Sequence, residues 1–404
     1  MVEKVKIVLA VLLTAFLAMI MSQSAVASGE PIKIGVVTSR SGVFQEWGTE
    51  ELRGLELGLE YATNGTNKVL GREIKLIVED DTSKPDVGAQ KAVKLLTEGK
   101  VDILTGAISS AVAMAIQAKV VEYKKPYIVS AASADQITGE NFNRYTFRIG
   151  RSLRQGSLSG AKYIVDKMGK NIAILAADYA GGRSFVAAYK QDFIANGGKI
   201  VVELYAPLTT GDFTPYLQKI KASGANTLMV FVTGANFTTL LPKQIGEIGI
   251  YEKMKVATDF ADITFFKSLG MAAVGMVGTC MYYYELFDNP LNKWLVEHHQ
   301  KKFNAPPELW AGHSFATGIA LIAAIKKAGS VETEALIKAL EGLEFYGPKT
   351  TTEKIRIRPE DHQAMQGVPF VELVKVEGRD YPVPKLVFLP TAEQATPPIT
   401  VPKK

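Results

Sequence analysis

The chain has one cysteine, Cys280, so no disulfide can form within it. In an oxidising compartment its stability must come from core packing. Nor is there a large excess of either charge: 46 Lys and Arg face 41 Asp and Glu, a formal net of +5. So mild and evenly spread a balance gives no footing to a nucleic-acid partner. Past the amino-terminal stretch no long apolar run remains, which leaves no further candidate for a membrane span. No Gly-x-Gly-x-x-Gly follows the first strand-like run and no Gly-Lys-Ser/Thr loop occurs, so nothing points to a bound nucleotide. Glu297-His298-His299 lacks the His-Glu-x-x-His spacing that sets two ligands on one helix face. No metal and no cofactor is indicated.

What is present starts with a short basic region, Lys4 and Lys6, followed by the apolar run Ile7 to Ile20. Ala25-Val26-Ala27 then supplies the small residues a signal peptidase accepts. Residues 1–27 are therefore expected to be a cleaved signal peptide, giving a mature periplasmic or secreted chain from Ser28. With no cysteine near that point, a lipid anchor is excluded by chemistry. The remaining chain is longer than one core usually serves, so two lobes are the default.

Strand-like and helix-like runs alternate. Ile32 to Val37, Glu73 to Glu79, Val101 to Leu104 and Pro126 to Val129 read as strands, separated by helical spacing at Trp47 to Ala62, Val87 to Leu96 and Ser110 to Tyr123. After Phe147-Arg148-Ile149 the rhythm restarts, with strands at Ile172, Ile200, Thr227 and Lys255 and helices between. This order demands parallel sheets covered by helices on both faces: an α/β chain of two doubly wound lobes. The last third does not begin a third unit. Its helices at Leu291 to Phe303, Ala311 to Ala328 and Thr333 to Leu340, and its short strands at Phe370 and Leu386, are best used by adding to the existing lobes. Several crossovers then make a hinge. The expected division is residues 28–149 with about 283–360 in lobe 1, and 150–282 with about 361–389 in lobe 2. Residues 390–404 form a Pro-rich tail expected to lie extended on the surface. Tyr282-Tyr283-Tyr284 reads as a hinge strand.

Doubly wound sheets bind ligands where strands end and helices begin. The loops that follow strands therefore hold the candidates: Thr38 to Gly42 and then Trp47, Gly106-Ala107-Ile108-Ser109-Ser110, and Ser130-Ala131-Ala132-Ser133. Small hydroxylated residues at a helix start serve as caps, and they also leave N–H and O–H groups facing a carboxylate.

The ordered set of these loops resembles the type I periplasmic binding proteins, in particular the leucine/isoleucine/valine-binding group that serves ABC importers. The resemblance is carried by Ile34-Gly35-Val36 with Ser41-Gly42 and Gly48, Glu79-Asp80-Asp81, Gly106 to Ser110, and Ser130 to Ser133. It continues through Phe147-Arg148, Asp178-Tyr179-Ala180, Gly182-Arg183-Ser184 and Pro306 to Ala316. It implies a monomeric binding protein that takes a small carboxylate ligand, a hydrophobic or branched-chain amino acid, and passes it to membrane permease subunits. It further implies that Ser109, Ser110, Ala131 and Ser133 hold the carboxylate, that Trp47 covers the ligand, and that Tyr179, Gly181 and Ala235 close from the second lobe. Asp259 would meet the ammonium of an amino acid, and Trp310 would add a late aromatic wall. Gly181 stands where an aromatic is common in amino-acid binders, which leaves space, and Asp259 is shorter than the usual glutamate. Both departures favour an aromatic or other organic acid as an alternative ligand.

Competing readings remain open for single residues. Trp47 also fits a core position, Asp259 a cap for the helix beginning near Asp262, and Trp310 a contact with its own helix. Gly312-His313-Ser314-Phe315-Ala316 resembles a hydrolase nucleophile elbow with Ser314 as nucleophile. That elbow needs an apolar strand immediately before it, whereas Pro306-Pro307-Glu308 precedes here.

Overall fold

The computed structural model describes residues 29–402, so the expected signal peptide lies outside the described residues. The first sheet contains β1 (Ile32–Thr38), β2 (Lys68–Val69), β3 (Arg72–Asp80), β4 (Ile103–Gly106), β5 (Tyr127–Val129) and β6 (Thr146–Arg148), in the spatial order β2-β3-β1-β4-β5-β6. All pairings are parallel except the β2–β3 hairpin. Its helices are α1 (Gln45–Ala62), α2 (Pro85–Thr97) and α3 (Ser110–Tyr123). Strand β1 is buried at nearly every position because helices cover both faces of the sheet, which is why it reads as a continuous apolar run.

The chain crosses to a second sheet after β6. Helices α4 (Leu153–Lys167), α5 (Ala180–Ala195), α6 (Thr214–Ala222), α7 (Gly234–Glu247) and α8 (Ile263–Leu269) alternate with β7 (Asn171–Ala177), β8 (Lys199–Ala206), β9 (Thr227–Phe231), β10 (Lys255–Phe260) and β11 (Val277–Cys280). A second crossing through Tyr282 to Tyr284 is irregular backbone; the strand of this region is β11, a few residues earlier. The chain then returns to the first lobe as α9 (Pro290–Phe303), α10 (Leu309–Ala328) and α11 (Thr333–Leu340).

Contrary to the reading that no further candidate span remains, helix α10 is apolar enough on length and composition to cross a membrane, but 83% of its apolar window is buried inside the molecule. It is a core helix that packs along α1. The two helices approach so closely that a Cβ on Gly54 would lie 2.1 Å from the Ala311 carbonyl oxygen, and one on Gly58 2.3 Å from that of Phe315.

A small antiparallel sheet follows: β12 (Glu344–Gly347), β13 (Thr350–Ile357) and β14 (Ala364–Met365). Phe345, Ile355, Ile357 and Ala364 join the core formed by β1, α1 and α10, so this sheet extends the first lobe. A third crossing leads to β15 (Phe370–Val374) and β16 (Val383–Phe388), which complete the second sheet in the order β16-β15-β11-β10-β9-β7-β8. The tail beyond β16 is exposed at most of its described positions. It crosses back to the first lobe, where the Ala392 N–H donates to the Glu353 carboxylate at 3.1 Å, Arg358 donates to the Pro397 carbonyl at 2.9 Å, and Ala395 is fully buried.

Candidate binding site

Phe44, Trp47, Ile108 and Ala131 from the first lobe, Leu309 and Trp310 at the start of α10, and the core of the second lobe form one continuous apolar cluster. Within it, between the lobes, lies a cavity of about 30 Å³. Its wall is largely aromatic: Phe44, Trp47, Tyr179, Phe231, Phe260 and Trp310. Ser133, Thr233, Arg151 and Asp259 supply the polar groups. So small a cavity means that the lobes stand closed, and entry of any organic molecule requires the hinge to open.

Local sequence explains how these groups arrive. Ile108, Tyr179 and Thr233 each sit just ahead of a helix start, at α3, α5 and α7, as strand-to-helix loops of a doubly wound sheet should. Tyr179 and Thr233 are joined through their hydroxyl oxygens at 3.2 Å. Burial pushes the Tyr179 phenol up to about 12, so it stays protonated as a donor at neutral pH. The aromatic rings pack into a lid: Phe44 stacks on Trp47 at 5.7 Å between centroids, and Trp47 meets Trp310 at 5.3 Å with the ring planes tilted by 43°.

Arg151 is the central charge, and sequence reasoning missed it. It lies in the first interlobe crossing, just before Ser152, which caps α4 in a capping box with Gln155. That cap fixes the backbone and turns Arg151 inward, where it is fully buried. Its Nη2 pairs with Asp259, whose other oxygen accepts from the Thr279 hydroxyl at 2.7 Å. The Nε–H of Arg151 has no partner among the described residues. The available signal was position: Arg151 follows the end of β6, the kind of strand end where ligands bind, yet no glycine- or serine-rich pattern marks it.

The structure brings together Trp47, Ser133, Tyr179, Asp259 and Trp310 on the cavity wall. It places Ser109, Ser110, Ala131, Gly181 and Ala235 outside that wall. The Ser110 hydroxyl accepts the Ala134 N–H at 3.2 Å, so it ties the neighbouring loop to α3 rather than facing the cavity. Ala131 is buried in the cluster beneath the lid, and Ala235 is exposed. The space expected at Gly181 is filled: a Cβ there would lie 2.4 Å from the Tyr179 hydroxyl oxygen, so the glycine makes room for that ring. Asp259 does not cap α8; Asp262 does, accepting the Phe265 N–H at 2.8 Å. Ser314 lies inside α10, fully buried, with no strand before it, which removes the nucleophile-elbow reading. His313 beside it is also buried, and desolvation holds its imidazole neutral.

Behind the cavity Lys349 is buried, donating to the Gln366 side chain and to the Gly367 carbonyl, and desolvation lowers its ammonium to about 7. No group of His, Cys, Asp and Glu able to hold a metal ion occurs among the described residues.

Comparison with known proteins agrees with this architecture. The family model described as periplasmic binding protein matches residues 31–379. A solved ABC-type branched-chain amino acid transporter protein from Rhodopseudomonas palustris CGA009 is 36% identical, with a TM-score of 0.78, covering 92% of this chain and 100% of that one. A solute-binding protein of an ABC transporter from Rhodopseudomonas palustris BisB5, solved in complex with 3,4-dihydroxybenzoic acid, is 28% identical with a TM-score of 0.81, covering 90% of this chain and 98% of that one. Leu/Ile/Val-binding protein homolog 6 of Brucella melitensis biotype 1 is 26% identical over 377 residues, 91% of this chain and 94% of its own length.

Proposed function

This chain belongs to the periplasmic binding protein family and serves as the substrate-binding component of an ABC transporter, and we propose that it captures a small aromatic carboxylate held by Arg151. One observation carries the choice of ligand. Asp259, the acid expected to meet an ammonium, already has one oxygen on Arg151 and the other on Thr279, while the Arg151 Nε–H is left without a partner. The leftover group is a donor, and a buried donor on a cation is best satisfied by an anion. The aromatic wall around it suits a planar ring, and the paired hydroxyls of Tyr179 and Thr233 offer polar contacts to substituents on that ring.

Capture proceeds by hinge closure. The open lobes admit the acid, and the closed lobes add contacts and exclude water, so closure is favoured only by what the ligand gains in the closed form. The carboxylate is desolvated beside Arg151 and Ser133, and the ring is covered by Trp47 and Trp310. The protein works as a monomer in the periplasm after removal of residues 1–27, and it delivers its cargo to permease subunits. Lys349 lies near Arg151, whose charge, after desolvation, helps lower the Lys349 ammonium to about 7.

A second reading is favoured by one fact: Arg151 and Asp259 both line the cavity, and opening their ion pair would present opposite charges to an amino-acid zwitterion. Calorimetry with 3,4-dihydroxybenzoate and with leucine separates the two. The proposal expects the aromatic acid to bind and leucine to bind weakly or not at all, with Asp259→Asn leaving the aromatic acid bound. Tight leucine binding that Asp259→Asn abolishes would establish the zwitterion reading instead.

A further inference from the structure

Outside the cavity, at the mouth of the cleft, lies a groove of about 510 Å³ that shares Trp47 and Trp310 with the cavity wall. Two hydrogen bonds cross between the lobes here, in opposite directions. The indole Nε1–H of Trp47, on α1, donates to Asp262 at 2.7 Å. The backbone N–H of Ile263, at the start of α8, donates to the Glu308 carboxylate at 2.9 Å, and Glu308 belongs to the first lobe as the residue before α10. Asp262 divides its oxygens between two tasks. Oδ1 caps α8 through the Phe265 N–H, and Oδ2 reaches across the cleft to the indole. A cap needs only the first of these, so the second is free to serve the lid.

We propose that Asp262 positions the Trp47 lid, and that the Trp47–Asp262 and Ile263–Glu308 bonds together form a latch that governs how readily the closed cleft reopens. The proposal rests on the capture function argued above. Both bonds join parts that separate when the hinge opens, so both exist only in the closed form. Asp262 is buried and Glu308 half-buried, so leaving either bond unmade carries a cost and making it favours closure.

The surroundings make the latch respond to protons. Glu308 faces Asp262 on α8, Glu50 on α1 and, more distantly, Lys267 on α8. Asp262 also feels Glu46, while Glu50 is itself paired with Arg53 on α1 and His299 on α9. Desolvation first, and the Asp262 charge second, push the Glu308 carboxyl up to about 8, and burial raises Asp262 as well. In the open form these acids meet water and titrate lower. Closure therefore takes up protons, so it is favoured at low pH and weakens as pH rises toward about 8.

The test reads lobe separation without any ligand. Nitroxide labels at E122C and K253C, one exposed position on each lobe, report the distance by pulsed electron resonance. Cys280 is buried, and its thiol, pushed up to about 12, stays unlabelled. Trp47→Phe keeps the ring but removes the donor, and Asp262→Asn keeps the helix cap but turns an amide toward the indole. Each is expected to lower the closed population about fivefold relative to the open one, and the double variant to lower it no further. The closed population should fall between about pH 4.5 and pH 8, and Glu308→Gln should flatten that fall. Unchanged distances in both single variants, additive losses in the double variant, or a pH response that survives Glu308→Gln would overturn the latch. Because no ligand enters the measurement, a protein indifferent to 3,4-dihydroxybenzoate still passes or fails this test on its own.

Discussion

At the scale of a residue, burial weighs most on Arg151, which is fully buried beside Asp259. A buried guanidinium paired with one carboxylate is costly to maintain, and removing one partner leaves the other charge alone in the interior. Arg151→Met should therefore destabilise the fold by about 3–5 kcal/mol, measured by denaturant unfolding. Arg151→Met with Asp259→Leu should recover most of that loss yet still fail to bind the ligand. If the double variant binds as the parent does, Arg151 is a structural ion pair and nothing more. Glu51 gives a second residue-level prediction. It is fully buried, accepts from the Thr38 and Ser130 hydroxyls, and desolvation raises its carboxyl to about 7. The fold thus holds a proton that the unfolded chain releases above its ordinary carboxylate range, so stability falls as pH rises from about 4.5 to 7. Glu51→Gln should match the parent at low pH and exceed it by about 3 kcal/mol near pH 8, seen as a widening gap between their stability curves. A constant gap across that range would show that Glu51 does not titrate with folding.

Helices and strands carry the account at the next scale, and here the sequence was most legible. The β-then-α rhythm located both sheets because a parallel strand covered on two faces must be apolar throughout, as Ile32 to Val37 is. Helix starts such as Ser110 were read to the residue. Their chemistry was harder to read, because a serine at a helix start looks the same whether its hydroxyl meets a ligand or, as for Ser110, a neighbouring backbone N–H. The sheet of β12, β13 and β14 went unread, although Ile355 and Ile357 alternate with charged residues in the pattern of a half-buried strand. Among glycines, Gly54 matters through contact. Alanine is the better helix former by about 1 kcal/mol. Even so, a Cβ would press on the Ala311 carbonyl at 2.1 Å, so the α1–α10 contact must open. Gly54→Ala should cost about 1–3 kcal/mol net of that preference, measured by thermal unfolding. A more stable variant would mean that the two helices yield easily.

At the scale of the whole molecule, two sheets built from separate stretches of chain share a hinge that the backbone crosses repeatedly, and the cavity sits where their strand ends face one another. Composition and alternation predicted two lobes. They gave no view of Arg151, because its role depends on Asp259 and Thr279 arriving from β10 and β11, more than a hundred residues along the chain. The closed arrangement joins both lobes through one apolar cluster, so opening exposes aromatic surface that a ligand ring can replace. The most direct test of this account is native mass spectrometry of the protein purified from a complex medium. The account predicts a retained small aromatic carboxylic acid, absent from the Arg151→Met, Asp259→Leu double variant. A retained sugar, cation or amino acid, or the same acid held equally by that variant, would contradict it.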